Sequence, residues 1–286
     1  MTTSAAEVRQ ISNDSGVDVY VVAHADDWQV FMGDAVVERI RSKRLPIFIY
    51  LTAGDHGRDS VYWRQRELAA LQSTRVALGV GPDARAGCDT LRAVSHPVTR
   101  CVLGGSVSVF LRLPDGNRNG AGFARNQFES MRKLRAKTIA GVSAIDHSTR
   151  YRDWSDLAAT VNALVRMLVD STRLTRMVVH STDPSVRINP HDHYDHRVAG
   201  KLTESLARAS GLNARYYVGY AVATRAANRS TVQRQEKLAV FSAYDDEMIR
   251  MNPAWSAYRE RPRFYAECMQ RTYSRSVSSA TPARAR

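Results

Sequence analysis

Residues 17–33 of this 286-residue chain read VDVYVVAHADDWQVFMG. Its first part, residues 17–23, is mostly apolar and predicts a strand buried on both faces. Polar residues 24–27 follow directly, and a helix is expected soon after, over residues 33–42. A polar group at the carboxyl end of a first strand lies where open α/β sheets bind their ligands. This stretch therefore predicts an α/β fold and the position of its functional site.

The alternation of strands and helices continues along the chain. Apolar runs that end in glycine, proline or polar residues predict strands, and apolar residues at helical spacing predict helices between them. This order is typical of a mostly parallel sheet with right-handed crossovers. Further strands are predicted at residues 46–52, 98–113 (broken at Gly104-Gly105), 175–181 and 214–222, and further helices at residues 60–78, 154–168, 196–209 and 230–251.

The composition indicates a globular protein with a basic surface. The chain is 44% hydrophobic, has a net charge of +13 and contains no apolar run long enough to span a membrane. The positive charge favours anionic ligands, but the arginines are dispersed and no basic stripe with interleaved aromatic residues exists. We therefore expect no nucleic-acid partner, and the sequence leaves the oligomeric state open.

Domain boundaries and location follow from the ends of the chain and its cysteines. We expect a flexible tail at residues 1–16, one α/β domain at residues 17–272 and a disordered basic tail at residues 273–286. The three cysteines are scattered and form no CxxC motif. They indicate a reducing cytoplasm and no disulfide.

A second polar cluster follows a later predicted strand. Residues 191–196 read HDHYDH. Because the carboxyl ends of parallel strands meet at one edge of a sheet, we expect this cluster to join the first one. A catalytic zinc ion takes three protein ligands and keeps a position for water. His24, Asp27 and one of the two histidines His193 and His196 supply that number.

The two clusters resemble the motifs of a known enzyme family. AHADD and HYDH look like the AHPDD and HPDH motifs of the PIG-L/LmbE-like family of zinc-dependent N-acetylglucosaminyl deacetylases. The resemblance spans roughly residues 17–250 and implies a Rossmann-like three-layer sandwich with a mostly parallel central sheet. It also implies removal of an N-acetyl or related N-acyl group from an amino-sugar substrate. Further similar segments are LTAGDHG (51–57), RQRE (64–67), LGV (78–80) and KLA (237–239).

Taken position by position, the resemblance implies a role for each polar residue. His24, Asp27 and His196 match the ligands of zinc or another divalent transition metal. Asp26 matches the general base that accepts a proton from the attacking water. His193 matches the residue that stabilises the oxyanion and, when protonated, can donate a proton to the departing amine.

Other residues are expected to contact the substrate. Arg64 matches a substrate-binding arginine of the family, with Arg66 close by. Asp55 and His56, in a loop flanked by glycines, are expected to line the pocket. Trp28 replaces a common glutamate and could stack on a sugar or an acyl group.

Two further departures from the family motifs remove no functional group. Ala25 and Tyr194 replace prolines.

Asp195 is a candidate hydrogen-bond partner for a histidine ligand.

Two other functions compete with that of a deacetylase. A non-catalytic Rossmann-like protein could bind an anionic sugar or nucleotide, but such a protein has no need of Asp26. A nicotinamide-dependent oxidoreductase is disfavoured because no GxGxxG follows the first strand.

Overall fold

The computed structural model describes residues 16–169, 173 and 176–278. Its strands, in chain order, are β1 Val17–Val22, β2 Leu45–Thr52, β3 Gly87–Ala93, β4 His96–Leu103, β5 Ser106–Leu113, β6 Val142–Ser143, β7 Arg150–Tyr151, β8 Met177–Thr182, β9 Asn213–Tyr217 and β10 Ser274–Val277. Its α-helices are α1 Asp27–Arg41, α2 Ser60–Leu78, α3 Met131–Arg135, α4 Trp154–Leu168, α5 Tyr194–Ser210, α6 Thr231–Met251, α7 Ala257–Glu260 and α8 Pro262–Met269.

The main sheet has eight strands in the order β10-β9-β8-β1-β2-β5-β4-β3. Its five central strands, β9 to β5, are parallel, and antiparallel strands extend both edges. The chain runs from β1 to β2 and β5 on one side, and from β8 to β9 on the other. The strand order thus reverses at β1 and β8, where doubly wound sheets form their ligand crevice.

Helices cover both faces of the sheet, which gives three layers. One apolar core packs the sheet against α3, α4 and α5, and the other packs it against α1, α2, α6 and α8. Along β1, Val17, Val19 and Val21 face the first core, and Tyr20 and Val22 face the second. Two-sided burial explains why this strand is nearly continuously apolar. The predicted fold class is confirmed.

Local sequence signals explain why α2 has the predicted bounds. The carboxylate of Asp59 accepts hydrogen bonds from the backbone N–H groups of Val61 and Tyr62, which caps the first turn. At the other end, Gly79 adopts the left-handed conformation (φ 62°) that closes many helices.

Several elements differ from the prediction, and three of them bear on the fold or on the chain ends. Helix α1 begins at Asp27 rather than at residue 33, so the polar motif itself starts the helix. Strand β3 was not predicted, because its side chains are mostly exposed and lack an apolar pattern. Residues 274–277 pair with β9 as an edge strand, so the prediction of disorder is wrong for them. Residues 1–15 and 279–286, which hold most of the two predicted tails, lie outside the described residues.

The prediction that the chain has no disulfide is wrong. Cys88 and Cys101 lie directly opposite each other on β3 and β4 and form a disulfide, with their Cα atoms 4.1 Å apart. Antiparallel pairing brings such residues together although 13 positions separate them in sequence. The third cysteine, Cys268, is free and buried.

A membrane span is not found in the part of the chain that the structure describes. None of the helices there combines the length and the apolar content needed to cross a bilayer.

Candidate active site

The two polar clusters meet at the carboxyl ends of β1 and β8. The first cluster follows β1 and starts α1, and the second precedes and starts α5. Helix α5 packs against both strands, which brings the start of this helix next to the end of β1. The parallel sheet therefore joins segments that are about 165 residues apart in sequence, as expected from the strand order.

Three side-chain atoms from these clusters point at one another. His24 Nδ1 lies 3.2 Å from His196 Nε2 and 3.4 Å from Asp27 Oδ1, and His196 Nε2 lies 3.0 Å from Asp27 Oδ1. All three residues are buried. In a tetrahedral site with bonds of about 2.0–2.1 Å, ligand atoms are about 3.3 Å apart. The spacing therefore fits three ligands of one zinc-sized ion.

The outward polar atoms of Asp27 and His196 are held by hydrogen bonds within the protein. Asp27 Oδ2 accepts hydrogen bonds from the backbone N–H groups of Ala23 (3.0 Å) and His24 (2.8 Å). His196 Nδ1 lies 2.9 Å from Asp192 Oδ1 and can donate to it. Such contacts fix the tautomer and orientation of a metal ligand. The inward atoms are thus left available for a cation, and the nitrogen and oxygen donor set suits zinc.

The charges around the inward atoms of His24, Asp27 and His196 favour a bound cation. Burial favours neutral histidine, but the carboxylates of Asp27 and Asp192 outweigh it and raise the pKa of His196 to about 10. The pKa of His24 is also raised, because Asp27, Asp195 and Asp115 more than offset the effect of burial. A divalent ion can supply the positive charge that these carboxylates demand.

Asp26 is paired with an arginine at the edge of the site. The Asp26 carboxylate is 19% exposed and forms an ion pair with the guanidinium of Arg66. Arg66 is itself buried and donates to Tyr244 Oη (2.7 Å) and to the Gly54 carbonyl (2.8 Å). The prediction for Arg64 is therefore wrong. Its position on α2 turns it to the exposed face, where it lies over Trp63, whereas Arg66 faces the pocket.

His193 lies beside the ligand set. Its Nδ1 accepts a hydrogen bond from the Asp195 backbone N–H at 3.2 Å, so the ring hydrogen of the neutral form is on Nε2. Burial, together with the charge of His24, lowers the pKa of His193 to about 4. Neutral His193 therefore presents an N–H donor to the pocket, rather than the protonated ring that the sequence led us to expect.

Asp115 is a pocket residue that sequence reasoning missed. Its carboxylate lies 3.6 Å from His193 Nε2 and 4.0 Å from His24 Nε2. The sequence signal was present, because Pro114-Asp115-Gly116 directly follows β5, at the same edge of the sheet. The Asp195 carboxylate, 3.6 Å from His24 Nε2, accepts from the Gly116 backbone N–H and ties this loop to α5.

The remaining predicted substrate residues have different environments. Trp28 is fully buried, stacks on Phe48 and donates to Tyr50 Oη at 2.9 Å, so its predicted substrate contact is wrong. Asp55 is also buried, and it accepts hydrogen bonds from the Asp115 and Gly57 backbones and from Asn126. It therefore holds the loop rather than lining the pocket. His56 is exposed and does line the pocket.

The site opens into a cavity of about 240 Å³. Besides the polar residues already described, its walls contain a group of aromatic side chains and three further arginines. The aromatic members are Phe31, Tyr62, Tyr220, Tyr244, Trp255, Phe264 and Tyr265, and the arginines are Arg58, Arg118 and Arg261.

Comparison with known families supports the interpretation of this geometry. Residues 19–207 match the family model PIG-L, described as GlcNAc-PI de-N-acetylase. The match covers about two thirds of the chain and contains both polar clusters. The chain belongs to the PIG-L family. Membership in this family supports the activity of a deacetylase that acts on amino-sugar-type substrates. A comparison with curated proteins gives no match.

Solved structures of similar shape include PIG-L-like deacetylases. One is a triple mutant of a deacetylase of the teicoplanin biosynthetic pathway, with 8% identity, a TM-score of 0.50, and coverage of 88% of this chain and 89% of that one. Another is N,N'-diacetylchitobiose deacetylase from Pyrococcus horikoshii, with 15% identity, a TM-score of 0.49, and coverage of 96% and 88%. A zinc-inhibited form of teicoplanin deacetylase has 10% identity, a TM-score of 0.49, and coverage of 93% and 99%. The first of these supports a shared fold.

The PIG-L match ends before much of the cavity wall. The ligand set, Asp26, His193 and Asp115 all lie within residues 19–207. The aromatic wall from Tyr220 to Tyr265 lies beyond that range. The residues of both polar clusters therefore lie within the range that matches the PIG-L family, whereas one wall of the cavity is built by the later part of the chain.

Proposed function

We propose that this protein is a zinc-dependent hydrolase that removes an N-acetyl or related N-acyl group from an amino-sugar substrate. One observation carries the proposal: the inward atoms of His24, Asp27 and His196 lie 3.0–3.4 Å apart. Bound by these atoms, zinc or another divalent transition metal would supply Lewis-acid activation of water and of the amide carbonyl.

Asp26 is proposed to act as the general base. Its carboxylate is adjacent in sequence to the ligand Asp27 but is turned toward the cavity, where it is partly exposed. From there it can accept a proton from the attacking water. The Arg66 ion pair holds the carboxylate in one orientation, and the Arg66 contacts with Tyr244 and Gly54 fix the arginine.

His193 is proposed to stabilise the negative oxygen that develops on the amide carbonyl. The neutral ring carries its hydrogen on Nε2, and a hydrogen-bond donor fixed before the reaction costs no reorganisation during it. The departing amine requires a proton, since an amine anion is a poor leaving group. The proton that Asp26 has accepted is the nearest source, so Asp26 serves first as base and then as acid.

The cavity walls support a sugar-type substrate. Tyr220, Phe264 and Tyr265 offer aromatic faces, on which the apolar face of a sugar ring can pack. His56 and Arg58 add polar groups for its hydroxyls. We propose a small molecule or a glycoconjugate as substrate, and we expect no nucleic-acid partner.

The cytoplasmic location stays a prediction. It rested on the absence of disulfides, and the Cys88–Cys101 bond removes that argument. Disulfides persist mainly in oxidising compartments.

The test combines metal analysis with acetate release. Purified protein is reconstituted with zinc, and bound metal is measured by elemental analysis. Acetate release is then followed with N-acetylglucosamine and N,N'-diacetylchitobiose. We expect about one zinc per chain and acetate release from at least one of these amides. Asp26→Asn is expected to keep the zinc and to lower turnover by about 10²–10⁴-fold.

The control is Arg64→Gln, which changes an exposed side chain on α2 and should leave both measurements unaltered. Failure to bind zinc after reconstitution would refute the proposed mechanism. Equal ligand binding by the wild type and Asp26→Asn, with turnover by neither, would favour the non-catalytic binder instead.

A further inference from the structure

The two oxygens of the Asp192 carboxylate, beside His196, have different contacts. Oδ1 lies 2.9 Å from His196 Nδ1 and accepts hydrogen bonds from the backbone N–H groups of His193 (3.0 Å) and Tyr220 (3.2 Å). Oδ2 is buried and has no hydrogen-bond partner among the residues that the structure describes. Leaving a buried acceptor without a partner is unfavourable. The position of this carboxylate therefore serves the contacts of Oδ1, one of which is with a proposed metal ligand.

The unpartnered oxygen lies against a glycine. Gly219 follows β9 and precedes the 3₁₀ turn Tyr220–Thr224. A Cβ atom at position 219 would lie 2.3 Å from Asp192 Oδ2 and 2.9 Å from Asp192 Cγ. Both distances are shorter than an ordinary contact of about 3.5 Å. A side chain at position 219 and the observed position of the Asp192 carboxylate are therefore incompatible.

The Asp192 carboxylate cannot move without a change at His196. Its side chain is buried, and all three of its contacts are made by Oδ1. Relief of a 2.3 Å contact requires a shift of about 1 Å. Because hydrogen bonds weaken steeply with distance and angle, such a shift would disturb the contact with His196 Nδ1.

The backbone at Gly219 is itself fixed. The Gly219 N–H donates to Asn189 Oδ1 at 2.9 Å, and Asn189 Nδ2 donates to the Asp183 carbonyl at 2.8 Å. Asn189 is fully buried. The backbone therefore cannot retreat from Asp192 without breaking a buried hydrogen bond, so the carboxylate would have to move instead.

The residue after Gly219 adds a second contact with the same ligand. The Tyr220 ring meets the edge of the His196 ring, with the two centroids 5.2 Å apart. The backbone N–H of Tyr220 is also one of the donors to Asp192 Oδ1. Gly219 and Tyr220 lie beyond residues 19–207, which match the PIG-L model. The later part of the chain thus contacts a ligand and its hydrogen-bond partner, besides forming a wall of the cavity.

We propose that Gly219 is a positioning residue for the metal site. Because this residue has no side chain, Asp192 can lie close enough to hold His196 Nδ1, and this contact orients His196 Nε2 toward the cation. The inference rests on the ligand set of the proposed function. It assigns the orientation of His196 to a residue that acts only through Asp192.

The first experiment measures zinc affinity by competition with a chelator. Gly219→Ala should lower the affinity by about tenfold, as expected when the hydrogen-bond partner of a ligand is displaced. The matched control is Gly87→Ala on β3, where an added Cβ would meet no atom within 4 Å. This control should bind zinc like the wild type.

The cobalt-substituted protein provides a second measurement. The visible absorption bands of Co²⁺ respond to the geometry of its ligands. Gly219→Ala should shift these bands, whereas Gly87→Ala should leave them unchanged. A loss of overall stability alone would not shift them, and thermal melting checks that both variants are folded.

A double-mutant cycle tests whether Gly219 acts through Asp192. Asp192→Ala removes the atoms that a Cβ at position 219 would meet. In that background, Gly219→Ala should change zinc affinity by less than about twofold, although it lowers the affinity by about tenfold when Asp192 is present. A general effect of the added methyl group on the backbone would be the same in both backgrounds.

Asn189→Ala provides a second variant if Gly219→Ala does not fold. It adds no atoms, but it removes the acceptor of the Gly219 N–H and so releases the backbone beside Asp192. Zinc affinity should fall by about threefold or more, and this loss should also disappear in the Asp192→Ala background.

Two results would overturn the role of Gly219. One is a Gly219→Ala variant whose zinc affinity and cobalt spectrum equal those of the wild type. The other is an equal loss of affinity with and without the Asp192 carboxylate. Zinc binding without acetate release from any amide would instead contradict the proposed function, and the affinities would still decide the role of Gly219. A wild type that binds no zinc would refute the ligand set and the role of Gly219 together.

Discussion

The two ends of β1 carry buried carboxylates with opposite environments. At the amino end, Asp18 accepts from Arg39 Nε (2.8 Å) and Arg44 Nε (2.6 Å), and His180 Nε2 lies 2.9 Å from its other oxygen. At the carboxyl end, Asp27 Oδ1 faces only the rings of His24 and His196. In the described part of the chain, Asp27 has no salt bridge with a lysine or arginine.

The difference separates a structural ion cluster from a binding site. At Asp18 the protein supplies its own cations, and the guanidinium and imidazole groups hold the pKa of this carboxyl well below its usual range despite burial. At Asp27 the groups that face the inward carboxylate oxygen are two histidines, which can exchange their protons for a metal ion. A buried acid is therefore informative about function only when its partners are known.

The largest expected effect, on zinc content and on acetate release, is at the carboxyl end of β1. His196→Ala removes one of the three ligands, so the bound zinc should fall to near zero and acetate release should be lost. Elemental analysis and the acetate assay check both results. His180→Ala, a change on β8 at the histidine that contacts Asp18, is the matched control and should retain zinc. Zinc retention by His196→Ala would contradict the proposed ligand set.

A large effect on stability is expected at the amino end. Asp18→Asn leaves Arg39 and Arg44 without their carboxylate, and breaking a buried ion pair costs about 3–5 kcal/mol. Urea denaturation should therefore show a large drop in the free energy of unfolding. Zinc affinity should be unchanged, because Asp18 lies at the opposite end of the strand. A change in zinc affinity comparable to that of a ligand variant would erase the distinction between the two ends.

A smaller effect is expected at the hydrogen-bond partner of a ligand. Asp192→Asn keeps the shape of the side chain but weakens the contact that orients His196, so zinc affinity should fall by about 10–100-fold. Competition with a chelator measures this affinity. Asp183→Asn, a change at a buried acid that contacts Arg275, is the control and should bind zinc normally.

The smallest effect is a pH dependence at Asp18. Because its pKa is lower in the folded chain than in the unfolded chain, its contribution to stability is present above about pH 4 and is lost as the pH falls. The difference in unfolding free energy between the wild type and Asp18→Asn should therefore narrow between about pH 5 and pH 3. Urea denaturation at several pH values checks this, and a constant difference would contradict it.

Several features of the site could be predicted from the sequence, because they depend on the order of residues within short segments. The motif at residues 24–27 follows an apolar strand, and the bounds of α2 follow from Asp59 and Gly79. That the two polar clusters meet was also predicted, since parallel strands bring their carboxyl ends to one edge, and the resemblance to the PIG-L/LmbE-like family pointed to His196 rather than His193. Strand polarity and hydrophobic pattern are thus sufficient for the fold class and for the meeting of the two polar clusters.

Other features were not readable, because they depend on which way a side chain turns. Arg64 and Arg66 are two positions apart on α2, and a rotation of about 200° between such positions separates the solvent from the pocket. Trp28 could face either the pocket or the core, and packing against Phe48 decided for the core. The place of Asp115 in the pocket could not be predicted, because the sequence does not show which loop approaches His24 and His193.

The sequence by itself determined the α/β class, the family and the residues able to bind a metal, because these follow from patterns within short segments and from the order of the segments. Tertiary structure alone decided the Arg66 ion pair and the Cys88–Cys101 bond. Each of these depends on contacts between segments distant in the chain or on the rotation of a helix about its axis. A local pattern of residues determines neither the contacts between distant segments nor the rotation of a helix.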